Sequence, residues 1–211
     1  MSSRTSSGLL LPILIVVGLV AVFGGSKVVD VVEGVISDIF GSDIVVVGEG
    51  DTQVMVAGDA EAKECTAVQL LNDRRCGSLK IVVISADRMP YIARNIQLAW
   101  GDGQPSLLHR NSAKQAGNRA AACGRFVAKY PGGSCDEYAF ATTDEGGASA
   151  RTEEVPLREQ RCQGGALNAG YAKAGIQQGE EFLVVISHPS KIAKQAFTGP
   201  DIAEDQSACE S

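Results

Sequence analysis

The chain has 211 residues, with 19 Lys and Arg against 25 Asp and Glu, for a formal net charge of −6. That charge argues against a simple basic nucleic-acid binder, and 45% hydrophobic with 21% charged residues excludes a disordered or collagen-like chain. The length suits one globular domain with tails, and aromatics at 5% beside 24 Gly point to a core of Val, Ile, Leu and Ala with many turns.

Residues 8–23, GLLLPILIVVGLVAVF, form an uncharged apolar run behind a Ser-rich start carrying Arg4. This layout predicts a secretory signal or, alternatively, an uncleaved membrane anchor over residues 1–25, and export of the residues C-terminal to it. Cys65, Cys76, Cys123, Cys135, Cys162 and Cys209 agree with an oxidising compartment: they are even in number, and no two have the spacing of zinc ligands. Three disulfides are expected, their connectivity open.

The segment 26–64 holds two Lys against nine acids, and its apolar residues Val28, Val32, Val35, Ile36 and Ile39 recur at helical spacing. Next, the stretch DIVVVGEGDTQVMVAG predicts a hairpin around GEGD. From Cys65 onward, 16 basic residues balance 16 acids, so the whole deficit of charge lies in this segment. It reads as a spacer or as an acidic mimic lying over a basic surface. Such a surface is offered by Arg110, Lys114, Arg119, Arg125 and Lys129, since residues 110–129 contain no acid.

Within the expected domain, residues 65–211, Leu79–Ser85 and Glu181–Ser187 read as buried strands from their β-branched runs. A helix is predicted after Pro90, ending at Gly101-Asp102-Gly103. A second is predicted over Ser112–Lys129, stopping before Pro131, and a third after Pro156. Between the last two, SCDEYAFATT predicts a strand leading into a DEGGASA turn. Charged Asp136 and Glu137 on a short strand are poor packing choices, so they mark either a solvated edge or a polar site.

The wording CDEYAFATTDEGG at 135–147, VPLREQRCQGGALNAGY at 155–171 and NIQLAWGDGQPSLLHR at 95–110 decides for the site. Over about residues 80–187 the chain closely resembles the secreted NucA/NucB deoxyribonucleases, relatives of the ββα-metal non-specific endonucleases. The resemblance implies an α+β fold: a small mixed sheet with flanking helices, a ββα-metal-type active-site unit and stabilising disulfides. It implies hydrolysis of DNA phosphodiesters assisted by Mg²⁺ or Mn²⁺, with RNA left open as a substrate, no sequence preference and no obligate protein partner.

The same resemblance supplies roles. Asp136 is the expected base that activates water, with Glu137 supporting the metal or the fold and Glu145 a further acid at the site. Because neighbours on a strand face opposite ways, only one of Asp136 and Glu137 should face the phosphate. Glu159, Gln160 and Asn168 are the expected metal ligands. Gln160 departs from the family pattern, which often has Asn there, and Ala139 departs where many members have Pro. Arg110, Arg119, Arg125 and Arg161, with Gln163, are the expected substrate contacts, because guanidinium groups match phosphate oxygens without reading bases. The departure at Gln160 keeps a second class of function in view, a catalytically silent relative that binds nucleic acid or another polyanion. A glycoside hydrolase using Asp136 and Glu145 fits less well, since aromatics are too few for a sugar platform.

Overall fold

The computed structural model describes residues 44–57 and 64–206. The apolar run 8–23, the predicted helix within 26–40, and Cys209 lie outside the described residues. Among the described residues, no helix is long and apolar enough to cross a membrane.

The predicted hairpin is present as β1 (Ile44–Val47) and β2 (Val54–Ala57), paired antiparallel. A short π-helical turn, Gln69–Asp73, leads to β3 (Arg75–Cys76) and β4 (Leu79–Ser85). Helix α1 (Pro90–Gly101) comes next, then β5 (Leu107–His109), α2 (Gln115–Cys123) and β6 (Gly133–Tyr138). The chain closes with β7 (Arg151–Pro156), α3 (Leu157–Ala174) and β8 (Glu181–Ser187).

The larger sheet has the order β1-β2-β8-β4-β3, with β5 also on β8. Its centre is the parallel pair β4 and β8, in register from Ile81 with Leu183 to Ser85 with Ser187. Parallel strands are covered on both faces, which is why both read as continuous apolar runs. Helices α1 and α3 cover one face through Ile92, Ile96, Leu167 and Tyr171. On the other face Val54, Leu70, Ile81 and Val185 pack around the Cys65–Cys76 disulfide.

The smaller sheet is β6 with β7, antiparallel, and β7 runs into α3 without a loop. This strand-strand-helix succession is the ββα unit of the expected α+β fold. Strand β7 lacks a strand signature in the sequence, because RTEEVP reads as a polar turn. Its charges are matched within the fold: Glu153 is bound by Arg94 and Arg151, and Glu154 accepts the backbone N–H groups of Lys129 and Tyr130.

Helix α2 is shorter than the predicted 112–129. Residues 112–114 form a 3₁₀ turn, and the helix stops at Cys123, whose disulfide to Cys135 returns the chain to β6. Cys162 is also disulfide-bonded. The disulfide expectation therefore holds for all five described cysteines.

Candidate active site

Alternation along β6 sends its acids to opposite sides. Asp136 is completely buried toward α1, where Asn95 Nδ2 donates to its Oδ2 at 2.8 Å. Gln163 Nε2, buried without a hydrogen-bond partner of ordinary geometry, lies close enough to favour the ionised carboxylate. Burial nevertheless dominates and raises Asp136 to about 7, with the Asn95 bond opposing and the Glu137 charge adding to the rise.

Glu137 faces α2. Its Oε2 is ion-paired with Arg119 Nη1, whose guanidinium also donates through Nη2 to the Cys135 carbonyl at 2.8 Å. Burial raises Glu137 to about 7, and the Arg119 charge holds it from rising further. Gln160, one turn into α3, completes this group once its side-chain amide is assigned the orientation that satisfies both ends: the nitrogen then donates to the Cys135 carbonyl at 2.8 Å and the oxygen accepts from Arg119 Nη1 at 3.3 Å. A carboxylate oxygen and an amide oxygen thus converge on one guanidinium nitrogen. Beside them opens a groove of about 570 Å³, lined by Arg119, Ala120, Phe126, Ser134 and Cys135.

The other expected residues are placed elsewhere. Glu159 is fully buried, and its Oε2 accepts the N–H groups of Tyr91 and Ile92, both at 3.0 Å, so it caps the start of α1. Burial raises it to about 8 against those two bonds. Glu145 binds His109 on β5, accepting from its backbone N–H at 3.0 Å and lying 2.8 Å from Nδ1; this bond raises the His109 pKa. Arg110 donates to the Ile176 carbonyl and stacks 4.5 Å over the Tyr171 ring. Arg125, Arg161 and Asn168 are exposed.

On α3, Gln160, Gly164 and Asn168 succeed one another at helical i, i+4, i+8 spacing, so they form one stripe. A Cβ on Gly164 or Gly165 would meet nothing within 4 Å. The Gly-Gly pair therefore has no packing reason within the described residues, and it leaves the helix bare beside Gln160. Gly146, by contrast, is closed in: a Cβ there would lie 2.3 Å from the Phe140 carbonyl oxygen and 2.9 Å from Asn118 Nδ2. Asn118 in turn donates to the Ala141 and Thr143 carbonyls, tying the Glu-Gly-Gly loop to the helix that carries Arg119.

Residues 97–185 match the family described as Deoxyribonuclease NucA/NucB. Over this segment the chain is similar to the NucA/NucB deoxyribonuclease family. No curated protein matches the chain. The family segment begins within α1, ends within β8 and contains the whole ββα unit with Arg119, Glu137 and Gln160. It is narrower than the resemblance over 80–187.

The sequence alone pointed to Asp136, Glu137, Gln160 and Arg119 but passed over Asn95. A buried amide between Ile92 and Ile96 on the apolar face of α1 was the available signal, since such a group needs a buried partner.

Proposed function

We propose that the chain is an exported endonuclease that hydrolyses DNA phosphodiester bonds with the help of a divalent metal ion, using Glu137 as the base. The observation that carries this reading is the convergence of Glu137 and Gln160 on Arg119 within the family segment, at the edge of an open groove. Disulfides support an oxidising compartment outside the cytosol.

Glu137 takes the base role from Asp136 through its link to Arg119. Both carboxyls are buried, but Asp136 is sealed between β6, α1 and α3, whereas Glu137 is ion-paired with Arg119, which lines the groove. A carboxylate near pH 7 is matched to taking a proton from water at neutral pH. When a phosphate enters, Arg119 can exchange its bond to Glu137 for one to a phosphate oxygen, freeing the carboxylate and fixing the substrate in one motion. The bare Gly164 and Gly165 stripe lets the sugar-phosphate backbone approach α3, with Arg161 and Asn168 alongside.

The donor chemistry fits a hard cation. Gln160 would offer its amide oxygen, with Glu137 near it, once Arg119 has turned from both to the phosphate, and a magnesium-like ion keeps several waters and asks few ligands of the protein. Cys123 and Cys135 lie close to Glu137 but are joined in a disulfide, so a thiolate-bound ion is excluded there. When bound, the ion would neutralise charge on the phosphate and on the departing oxygen. Glu159, whose Oε2 accepts the α1 amides while Oε1 is buried with no hydrogen-bond partner, does not line the groove and is not among the proposed ligands.

The test is plasmid cleavage by the full chain with Mg²⁺ or Mn²⁺, with and without chelator, beside Glu137→Gln and Asp136→Asn. Cleavage should need the ion and fall by about 10²-fold or more in Glu137→Gln. Asp136→Asn should retain most of the rate. No cleavage with any ion overturns the enzyme reading in favour of a silent polyanion binder, for which the Gln160 departure is the motivating feature. Loss in Asp136→Asn alone returns the base to Asp136.

A further inference from the structure

A second groove, of about 400 Å³, opens where the parallel strands β4 and β8 end. Ser85 and Ser187 are register partners there, and Ser187 Oγ donates to Ser85 Oγ at 3.2 Å. Ser85 is bonded to Asp87, and His188 Nδ1 lies 3.3 Å from Ser85 Oγ and 3.5 Å from Asp87 Oδ1. Positions just beyond the carboxyl ends of parallel strands are where open α/β sheets receive ligands.

The groove lining is also cationic. Arg74, Arg88 and Lys173 line the groove, and Arg88 is paired with Asp205 at 2.8 Å. Arg74 is different: its side chain makes no hydrogen bond or ion pair among the described residues, and its Nε is buried without a partner. A half-buried guanidinium with no counter-charge is unfavourable unless something anionic completes it. Arg74 and His188 are also the two non-glycine residues with positive φ among the described residues, at 56° and 54°, and both line this one groove. Such backbone settings gather where a ligand is held.

We propose that this groove binds a phosphoryl anion, with the Arg74 guanidinium as its principal holder and Lys173 as a second charge. Asp87 is the one carboxylate lining the groove, and it is already engaged by Ser85 beside His188. The apolar part of the lining, Leu71, Val83 and Ala169, suits a small phosphate ester better than a bare ion. The site stands apart from the Glu137 groove, because α3 turns Ala166, Ala169, Gly170 and Lys173 toward it and Gln160, Gly164 and Asn168 elsewhere. It is independent of the nuclease reading.

Calorimetry and thermal shift on the full chain test this with inorganic phosphate, a deoxynucleoside monophosphate and a short DNA duplex, beside Arg74→Gln and Lys173→Gln. Wild type should bind at least one probe at millimolar concentration, and Arg74→Gln should weaken that binding by about tenfold or more, as for a charge-assisted bond. Arg74→Gln should also melt no lower than wild type without ligand, since it removes an uncompensated charge. Tighter binding of the nucleotide than of phosphate identifies a free phosphate ester as the source. Binding of the duplex alone, lost in Arg74→Gln, identifies a DNA backbone phosphate. No binding of any probe, or binding that ignores both substitutions, overturns the site. If Arg74→Gln does not fold, Lys173→Gln decides, because Lys173 is exposed on α3 and its loss does not threaten the core.

Discussion

Arg119 and Glu137 form an ion pair across α2 and β6 in which the carboxylate is nearly sealed, at 4% side-chain exposure, and the guanidinium is open, at 36%. The asymmetry sets what each substitution should do. Removing the guanidinium leaves a buried carboxylate without its charge partner, which protonation then relieves. Arg119→Gln should lower stability by about 2 kcal/mol, less than a fully buried pair costs because Arg119 is solvated. The same variant should shift the alkaline rise of the cleavage rate to higher pH, since the charge that holds Glu137 down is gone. Denaturant titration and a pH–rate profile measure the two effects. A stable variant with an unmoved profile would show that the pair is idle.

Stability and activity should slope in opposite directions with pH. Asp136, Glu137 and Glu159 are raised from 3.8 or 4.5 to about 7, 7 and 8, so between those limits the folded chain binds more protons than the unfolded one. Where the native state holds the extra protons, stability falls as pH rises. The base must be ionised, so cleavage rises through about pH 7 over the same range. Glu159→Gln isolates one contributor: its oxygen still accepts from Tyr91 and Ile92, but its titration is removed. That variant should flatten the stability slope above pH 7 while leaving the midpoint of the rate profile in place. Urea midpoints across pH in wild type and variant check the sign.

The contrast between these acids also marks how far the sequence could be read. The strands at 79–85 and 181–187 and the helix starts after Pro90 and Pro156 were legible because periodicity and Pro placement are local signals. Strand β7 was not, because Glu153 and Glu154 become acceptable in a sheet only once Arg94, Arg151 and two backbone amides meet them from other elements. The same holds at the site. Motif wording brought Asp136, Glu137, Gln160 and Arg119 forward, yet which of the two strand acids meets Arg119 depends on the register of β6 against α1 and α2. Glu159 resembled a ligand by position and is a helix cap by contact.

The motif glycines should separate into two kinds. Gly146→Ala drives a Cβ against the Phe140 carbonyl and Asn118 Nδ2 and should cost about 2 kcal/mol or more, as overpacking does. Gly164→Ala and Gly165→Ala meet open space in mid-helix and should each stabilise the fold by about 0.5–1 kcal/mol. If DNA backbone approaches this stripe, the latter pair should raise KM for DNA while raising Tm. Stabilisation with an unchanged KM would remove α3 from the substrate surface.

The Cys123–Cys135 disulfide should matter to the site more than the Cys65–Cys76 disulfide. Their spans are similar, 12 and 11 residues, so each should contribute about 3 kcal/mol by restricting the unfolded chain. Only the first fastens the end of α2, four residues beyond Arg119, to the strand residue two before Glu137. Replacing Cys123 and Cys135 together by Ser should therefore lower both Tm and the cleavage rate, whereas the same change at Cys65 and Cys76 should lower Tm with the rate kept while folded. Cleavage assays well below each variant's Tm separate the effects. Equal loss of rate in both would mean that the disulfides act through global stability alone.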